Sequence, residues 1–402
     1  MSEIKATQLL KKHLAEYFQS FFNENSKPLV AWCTSVGPSE ILTAMGFQVY
    51  YPENHGALLG ATRASADLLG SAHALGYSQD ICSYLTSDIG SYLKKETPLT
   101  KAYGVAGPPK PDLLVYATNQ CHEVQDWFSF YAREWQVPIF GINFPWKIDE
   151  VQKEHIDCVT AQFENLIELC QKITKKKLDP HKLKEVVELS AQTSKLWRHF
   201  LESAKAAPSP MTFFDGCIQM APAVVLRGLP VANQYYQALN LEMETKVKAK
   251  EASIPGEKIR LYWDGMPIWG RLRFFSDFFK NNYTNIVAST YCSSWIFDNL
   301  NGDDPLNSMA LDYTKIFINR SEKAKEKILA ALARDFQVAG IIFHDSKTCP
   351  YNSNSRFGMP QRLQKKYAIP SLVIDGDLCD LRCFSEEQTK TSLESFLEQL
   401  QT

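Results

Sequence analysis

Short apolar runs alternate with helical patterns twice along this chain of 402 residues, and that alternation restricts the fold more than any other feature. Strands separated by helices cannot pair as tight hairpins. They lie side by side through crossovers and build a mostly parallel sheet covered by helices. In the first stretch Leu29–Trp32, Phe47–Tyr51, Leu113–Ala117 and Val137–Asn143 read as strands. Pro38–Met45, Ala64–Leu75, Ser78–Leu93 and the aromatic-rich Val124–Trp135 read as helices. In the second stretch the strands are Ile259–Trp263, Ile286–Ser289, Asp312–Asn319, Val338–His344 and Ser371–Ile374. Helices over Arg271–Asn281, Glu322–Asp335 and Glu386–Leu400 accompany them.

Between these stretches Asp149–Ile173 and Pro180–Ala206 carry long, charged helical patterns, and helices continue to the break at Ile254–Gly256. The lysine run Lys175–Lys177 between them reads as a solvated face. Residues 3–23 form an amphipathic pattern with Leu9, Leu10, Leu14, Phe18 and Phe21 on one side. The expected organisation is α/β: an N-terminal helix within residues 1–27, an α/β unit over 28–148, a helical region over 149–256 and a second α/β unit over 257–402.

Hydrophobic residues make up 45% and charged residues 22%, an ordinary globular composition. A net charge of −2 provides no electrostatic case for nucleic acid or an anionic membrane. No apolar stretch is long enough to span a bilayer, and the charged N-terminus resembles no signal segment, so the chain reads as cytoplasmic.

Most of the ten cysteines lie at the ends of predicted strands or helices. Cys33, Cys121, Cys292, Cys349, Cys379 and Cys383 each follow a strand, and Cys82 lies near a helix start that Ser78 is placed to cap. In open α/β sheets the chain beyond the carboxyl ends of the strands converges on one crevice. Thiols far apart in sequence therefore meet there, and gathered thiolates suit a soft metal centre, above all an iron–sulfur cluster. The spacing fits no C-x-x-C zinc or thioredoxin pattern. Cys158 and Cys170 read as packing residues on helices. Cys82, Cys121 and Cys349 form the best-supported set. The first lies at a helix N-terminus that favours thiolate, and the other two lie in equivalent turns of the two α/β units.

The segments Asp80-Ile-Cys-Ser-Tyr-Leu-Thr-Ser-Asp-Ile-Gly90, Glu202-Ser-Ala-Lys-Ala-Ala-Pro-Ser-Pro210, Ser346-Lys-Thr-Cys349 and Asp375-Gly-Asp-Leu-Cys-Asp-Leu-Arg-Cys-Phe-Ser385 carry a resemblance that runs from Lys27 to Ser385. They resemble the 2-hydroxyacyl-CoA dehydratase/benzoyl-CoA reductase family. That resemblance implies two Rossmann-like domains, a [4Fe–4S] cluster on Cys82, Cys121 and Cys349, and a dimer, here read as a homodimer. It also implies a separate ATP-hydrolysing iron–sulfur activator that supplies low-potential electrons. This chain departs from the family pattern in having His122-Glu123 after the second ligand and extra thiols at Cys33, Cys292, Cys379 and Cys383. In that respect it is similar to the double-cubane cluster branch. Cys33, Cys292 and Cys383 are then the second ligand set of an [8Fe–9S] double cubane, with Cys379 the alternate for Cys383.

The expectation that follows is an iron–sulfur reductase component that takes electrons from the activator and reduces a small molecule. The alternative is a 2-hydroxyacyl-CoA dehydratase or benzoyl-CoA reductase-type subunit with one [4Fe–4S] cluster. A third reading is a cluster carrier or redox sensor without turnover. His122 and Glu123 are candidate proton donors, and Lys347 a further candidate catalytic residue beside a ligand. His344, Lys347 and Arg382 are candidate hydrogen-bond donors to cluster sulfides. The segment Trp263-Asp-Gly-Met-Pro-Ile-Trp269 is expected to line the cavity, and the aromatic helix Trp127–Trp135 to supply core or dimer contacts. No G-x-G-x-x-G or P-loop occurs, so ATP belongs to the partner.

Overall fold

The computed structural model describes residues 5–23 and 27–401. Among the described residues, eight strands form two parallel sheets. The first holds β1 (Val30–Cys33), β2 (Gln48–Tyr50), β3 (Leu113–Ala117) and β4 (Ile139–Ile142) in the order β2-β1-β3-β4. The second holds β5 (Ile259–Asp264), β6 (Thr284–Ser289), β7 (Gly340–Ser346) and β8 (Ser371–Gly376) in the order β6-β5-β7-β8. Both sheets thus repeat one winding. The chain moves to one side of its first strand, returns to the other side, and continues outward. The reversal point lies between β1 and β3 in one sheet and between β5 and β7 in the other, where such folds open a crevice beyond the strand ends.

The central strands are apolar on both faces because helices cover both. Every residue of β1 is buried, and β3 is buried except at Tyr116. Parallel register sets Cys33 opposite Val115 and His344 opposite Ile374. The α/β expectation is met, with strand boundaries shifted by up to two residues at each end. As a result Cys33 is the last residue of β1 rather than the first beyond it.

Several local expectations are corrected. Asp312–Asn319 is not a strand: helix Pro305–Lys315 runs through its first part and a short 3-10 turn, Phe317–Asn319, follows. Its Tyr313, Ile316 and Ile318 imitate a strand pattern, but Pro305 at the first turn pre-sets helical φ and starts the helix upstream. The helix expected over Ser78–Leu93 begins only at Ser83, so Cys82 is its N-cap. Ser78 instead accepts a hydrogen bond from the Asp80 amide at 3.1 Å. Cys158 is exposed, whereas Cys170 is packed in the core as expected. The N-terminal helix is described from Ala6 to Ser20. Its expected start at residue 3 lies outside the described residues.

The helical region contributes Lys153–Thr174, Pro180–Glu202 and Pro230–Lys248, and one polar knot ties it to the first sheet. Arg227 donates to Glu40 at 2.9 Å, to the carbonyls of Ser35 and Gly37, and to the Ser39 hydroxyl. Glu40 also accepts from Ser190 at 2.8 Å and from Tyr313 at 2.5 Å. Both charges are buried, so their stability depends on this full set of partners. The knot fixes the loop after β1, whose Ser35 and Val36 face the cavity described next. Among the described residues, no helix is long and apolar enough to cross a membrane.

Candidate functional site

Cys82, Cys121 and Cys349 come together from three separate loops. Cys121 and Cys349 act electrostatically on Cys82, and Cys349 acts on Cys121. All three are half-buried and free of disulfide bonds. Each precedes a helical turn: Cys82 caps Ser83–Lys94, Cys121 stands just before Glu123–Trp135, and Cys349 caps the turn Pro350–Asn352. The backbone of each turn favours the charged form of its thiol, through Leu85 at Cys82, Val124 at Cys121 and Asn352 at Cys349, although no N–H closes a cap bond to the sulfur of Cys82 or Cys349. The Asn352 amide side chain adds a donor to the Cys349 Sγ at 3.7 Å.

Burial and mutual repulsion oppose ionisation here. Burial is the first cause that raises all three thiols, Cys349 to about 12. Donors aimed at sulfur are useful only if the sulfur carries charge, so the arrangement is complete once cations share the site. Among the described residues, no three His, Cys, Asp or Glu side chains converge closely enough for a single ion. A cubane's thiolates bind different irons and sit further apart than ligands of one ion. The donor set therefore fits a [4Fe–4S] group better than one zinc ion.

Glu123 belongs to this site, because its Oε2 accepts the Cys82 amide at 3.2 Å. Burial leads the causes that raise its carboxyl, and the nearby Asp126 and Asp377 add to it. His122 is exposed and meets the rings of Trp146 and Tyr351 edge-on, with centroids 6.0 and 6.1 Å away. Lys347 points to the surface and pairs with Asp80 at 3.1 Å. Arg382 pairs with Asp380, and the His344 Nδ1 lies 2.6 Å from the Met266 carbonyl.

The additional thiols have other neighbours. Cys33 is wholly buried among Arg227, Glu53, Glu40 and Cys170. Cys292 lies beside Cys217, and the Trp197 indole donates to its carbonyl at 3.0 Å. Cys379 donates to the Gly56 carbonyl at 3.3 Å, and Cys383 lies among Asp380, Asp377, Lys347 and Arg382.

A cavity of about 250 Å3 is lined by residues close in sequence to the three thiols. Its wall includes Glu53, Tyr84, Gln120, Trp269, Tyr291 and Asn352. Gln120 immediately precedes Cys121, and Asn352 is the residue bonded to Cys349. The cavity is mostly apolar, and Glu53 is its half-buried carboxyl. Gln120 donates to Glu53 at 2.9 Å, and the Ser35 amide donates to its other oxygen. Burial holds the Glu53 carboxyl above the usual carboxylate range against these bonds. Trp269 donates to the Tyr84 hydroxyl and meets the Tyr291 ring edge-on, making an aromatic wall.

Of the segment Trp263–Trp269, Met266 and Trp269 reach this cavity. Trp127, Phe128, Phe130 and Tyr131 of the aromatic helix are core residues. Glu53, Gln120 and Tyr291 had no place in the sequence reading, and Tyr84 stood only within the segment Asp80–Gly90, without a role. The signal for Glu53 was Tyr51-Pro52-Glu53, a helix start just beyond a strand.

The matches with known proteins cover nearly the whole chain. The family model for 2-hydroxyglutaryl-CoA dehydratase, D-component, matches residues 34–400. The lactoyl-CoA dehydratase subunit alpha of Anaerotignum propionicum is 30% identical over 98% of this chain and 98% of its own length. The (R)-2-hydroxyisocaproyl-CoA dehydratase alpha subunit of Clostridioides difficile is 30% identical over 99% and 97%. A benzoyl-CoA reductase subunit of Thauera aromatica is 26% identical over 93% and 89%. This chain belongs to the 2-hydroxyglutaryl-CoA dehydratase D-component family, which includes dehydratase alpha subunits and a benzoyl-CoA reductase subunit.

Proposed function

We propose that this chain is the cluster-bearing subunit of a 2-hydroxyacyl-CoA dehydratase, holding one [4Fe–4S] cluster on Cys82, Cys121 and Cys349. The observation that carries the reading is three free, half-buried thiols, each preceding a helical turn, with residues near them in sequence lining an apolar cavity that holds one half-buried carboxyl. When bound, a cubane with three thiolate ligands supplies single electrons and one iron open to a further ligand. Low-potential electrons come from a separate ATP-hydrolysing iron–sulfur activator, and the chain pairs with a second subunit, as the alpha-subunit names of its relatives suggest.

The chain's own residues bind, shield and move protons. Trp269, Tyr84 and Tyr291 keep water from the reacting end of the substrate. Glu53, held by Gln120 and Ser35, takes or returns a proton at the acyl chain, a task its raised carboxyl suits. Glu123 orients the Cys82 amide rather than the substrate.

A single cubane is preferred to the [8Fe–9S] double cubane. Cys33, Cys292, Cys379 and Cys383 are held among different partners, Cys292 beside Cys217. Dehydration is preferred to ring reduction because the lactoyl-CoA and 2-hydroxyisocaproyl-CoA dehydratase alpha subunits share 30% of residues against 26% for the reductase subunit, while the 2-hydroxyglutaryl-CoA dehydratase alpha subunit shares 24%.

Anaerobic reconstitution followed by iron and sulfide analysis tests the reading. About four irons per chain are expected, lost in Cys82→Ser, Cys121→Ser and Cys349→Ser and retained in Cys33→Ser and Cys292→Ser. About eight irons would instead support the double cubane, and an iron-free chain would end the proposal. With activator, ATP and the second subunit, the loaded chain is expected to dehydrate a 2-hydroxyacyl-CoA.

A further inference from the structure

Asp377 follows β8 and is wholly buried, yet it accepts hydrogen bonds from both sides of the candidate cluster site. One carboxylate oxygen accepts from the Ser83 hydroxyl and from the amides of Cys379 and Asp380, at 3.3 and 3.2 Å. The other accepts from the Thr348 amide and hydroxyl, both at 2.7 Å, and from the Ser346 hydroxyl at 3.3 Å. Ser83 directly follows Cys82 and Thr348 directly precedes Cys349. The two neighbours also bond to each other, because the Ser83 amide donates to the Thr348 hydroxyl at 3.0 Å.

We propose that Asp377 is a positioning residue that fixes Cys82 and Cys349 relative to each other, and so sets both how tightly the cluster is held and its reduction potential. The inference rests on the reading that these thiols hold a cluster.

Three physical points support the role. A carboxylate with six donors around it is fixed in both position and orientation. It joins loops from opposite halves of the chain, since Cys82 lies in the segment between β2 and β3 and Cys349 follows β7. A rigid link between ligands separated by 267 positions in sequence is what convergence from two sheets otherwise lacks. Finally, its charge lies close enough to act on the Cys349 thiol. A buried negative charge beside a cluster disfavours adding an electron, so it holds the potential down.

The test uses the full chain, reconstituted anaerobically with iron and sulfide. Asp377→Asn keeps the size, removes the charge and turns an amide N–H2 toward donors. Iron loss to a chelator is expected to become about 10- to 100-fold faster, and the midpoint potential to shift upward. Asp88→Asn is the control, a buried carboxylate on the same helix as Ser83, bonded to His55, Trp127 and Tyr131. It is expected to lower stability while leaving iron loss and potential as in the wild type. Should Asp377→Asn fail to fold, Thr348→Val carries the test and Thr348→Ser, which restores the hydroxyl, is expected to recover wild-type iron retention. Wild-type iron loss and potential in Asp377→Asn, or in Thr348→Val, would overturn the proposal. A wild-type chain that takes up no iron would instead overturn the cluster reading on which it rests.

Discussion

Replacing Gly90 by alanine asks whether the helix that starts at Cys82 needs its present height above its neighbour. Gly90 lies where helix Ser83–Lys94 crosses helix Ser65–Ala74. A Cβ there would stand 2.1 Å from the Leu68 carbonyl oxygen and 2.7 Å from its carbon. Both atoms are backbone, so no change of rotamer relieves the clash. Ordinary contact begins at 3.4 Å, so the helices must part by roughly 1.3 Å, and a close-packed interior passes such a shift on. Alanine itself favours the helix by about 1 kcal/mol, while overpacking costs about 1–3 kcal/mol. With backbone as the obstacle the upper end applies, for a net loss of about 2 kcal/mol.

Urea unfolding should show a lower midpoint at unchanged slope, and iron uptake should fall because Cys82 moves with its helix. Gly70→Ala is the comparison, because Gly70 lies on the partner helix with nothing within 4 Å of its added Cβ. It should gain about 0.5–1 kcal/mol. Equal stability and equal iron uptake in the two variants would refute the close-contact reasoning.

Two further outcomes are expected. Arg227→Met leaves Glu40 buried without its cation and should cost about 3–5 kcal/mol in thermal or urea unfolding, with part of the loss recovered in the double variant Arg227→Met, Glu40→Gln. Glu53→Gln keeps the shape of the cavity but removes its proton-moving group. It should lower turnover about 10²- to 10⁴-fold with the loaded chain and its partners, with little change in KM and full iron content.

Much of this architecture was legible because it rests on local pattern. Parallel strands buried on both faces leave continuous apolar runs such as Leu113–Ala117, and cysteines after such runs are conspicuous. Legibility ended where a side chain acts across the fold. Glu53 and Tyr291 lie 238 positions apart and meet only in the cavity wall, so no spacing links them. Asp377 looked like one acid among several in its loop until the bonds to Ser83 and Thr348 were seen. The run at Asp312–Asn319 misled for a different reason. Aromatic and β-branched residues suit a buried helix face as well as a strand, and the decisive Pro305 stood several residues upstream.

The three candidate ligands are drawn from both sheets, two from the first half of the chain and one from the second. A group bound there acts as a staple between halves that otherwise meet through side-chain packing and hydrogen bonds. Whatever binds the assembled form alone shifts the folding equilibrium toward it. On the proposed reading, supply of iron and sulfide would then govern how much of this protein survives in the cell, as well as how much of it is active.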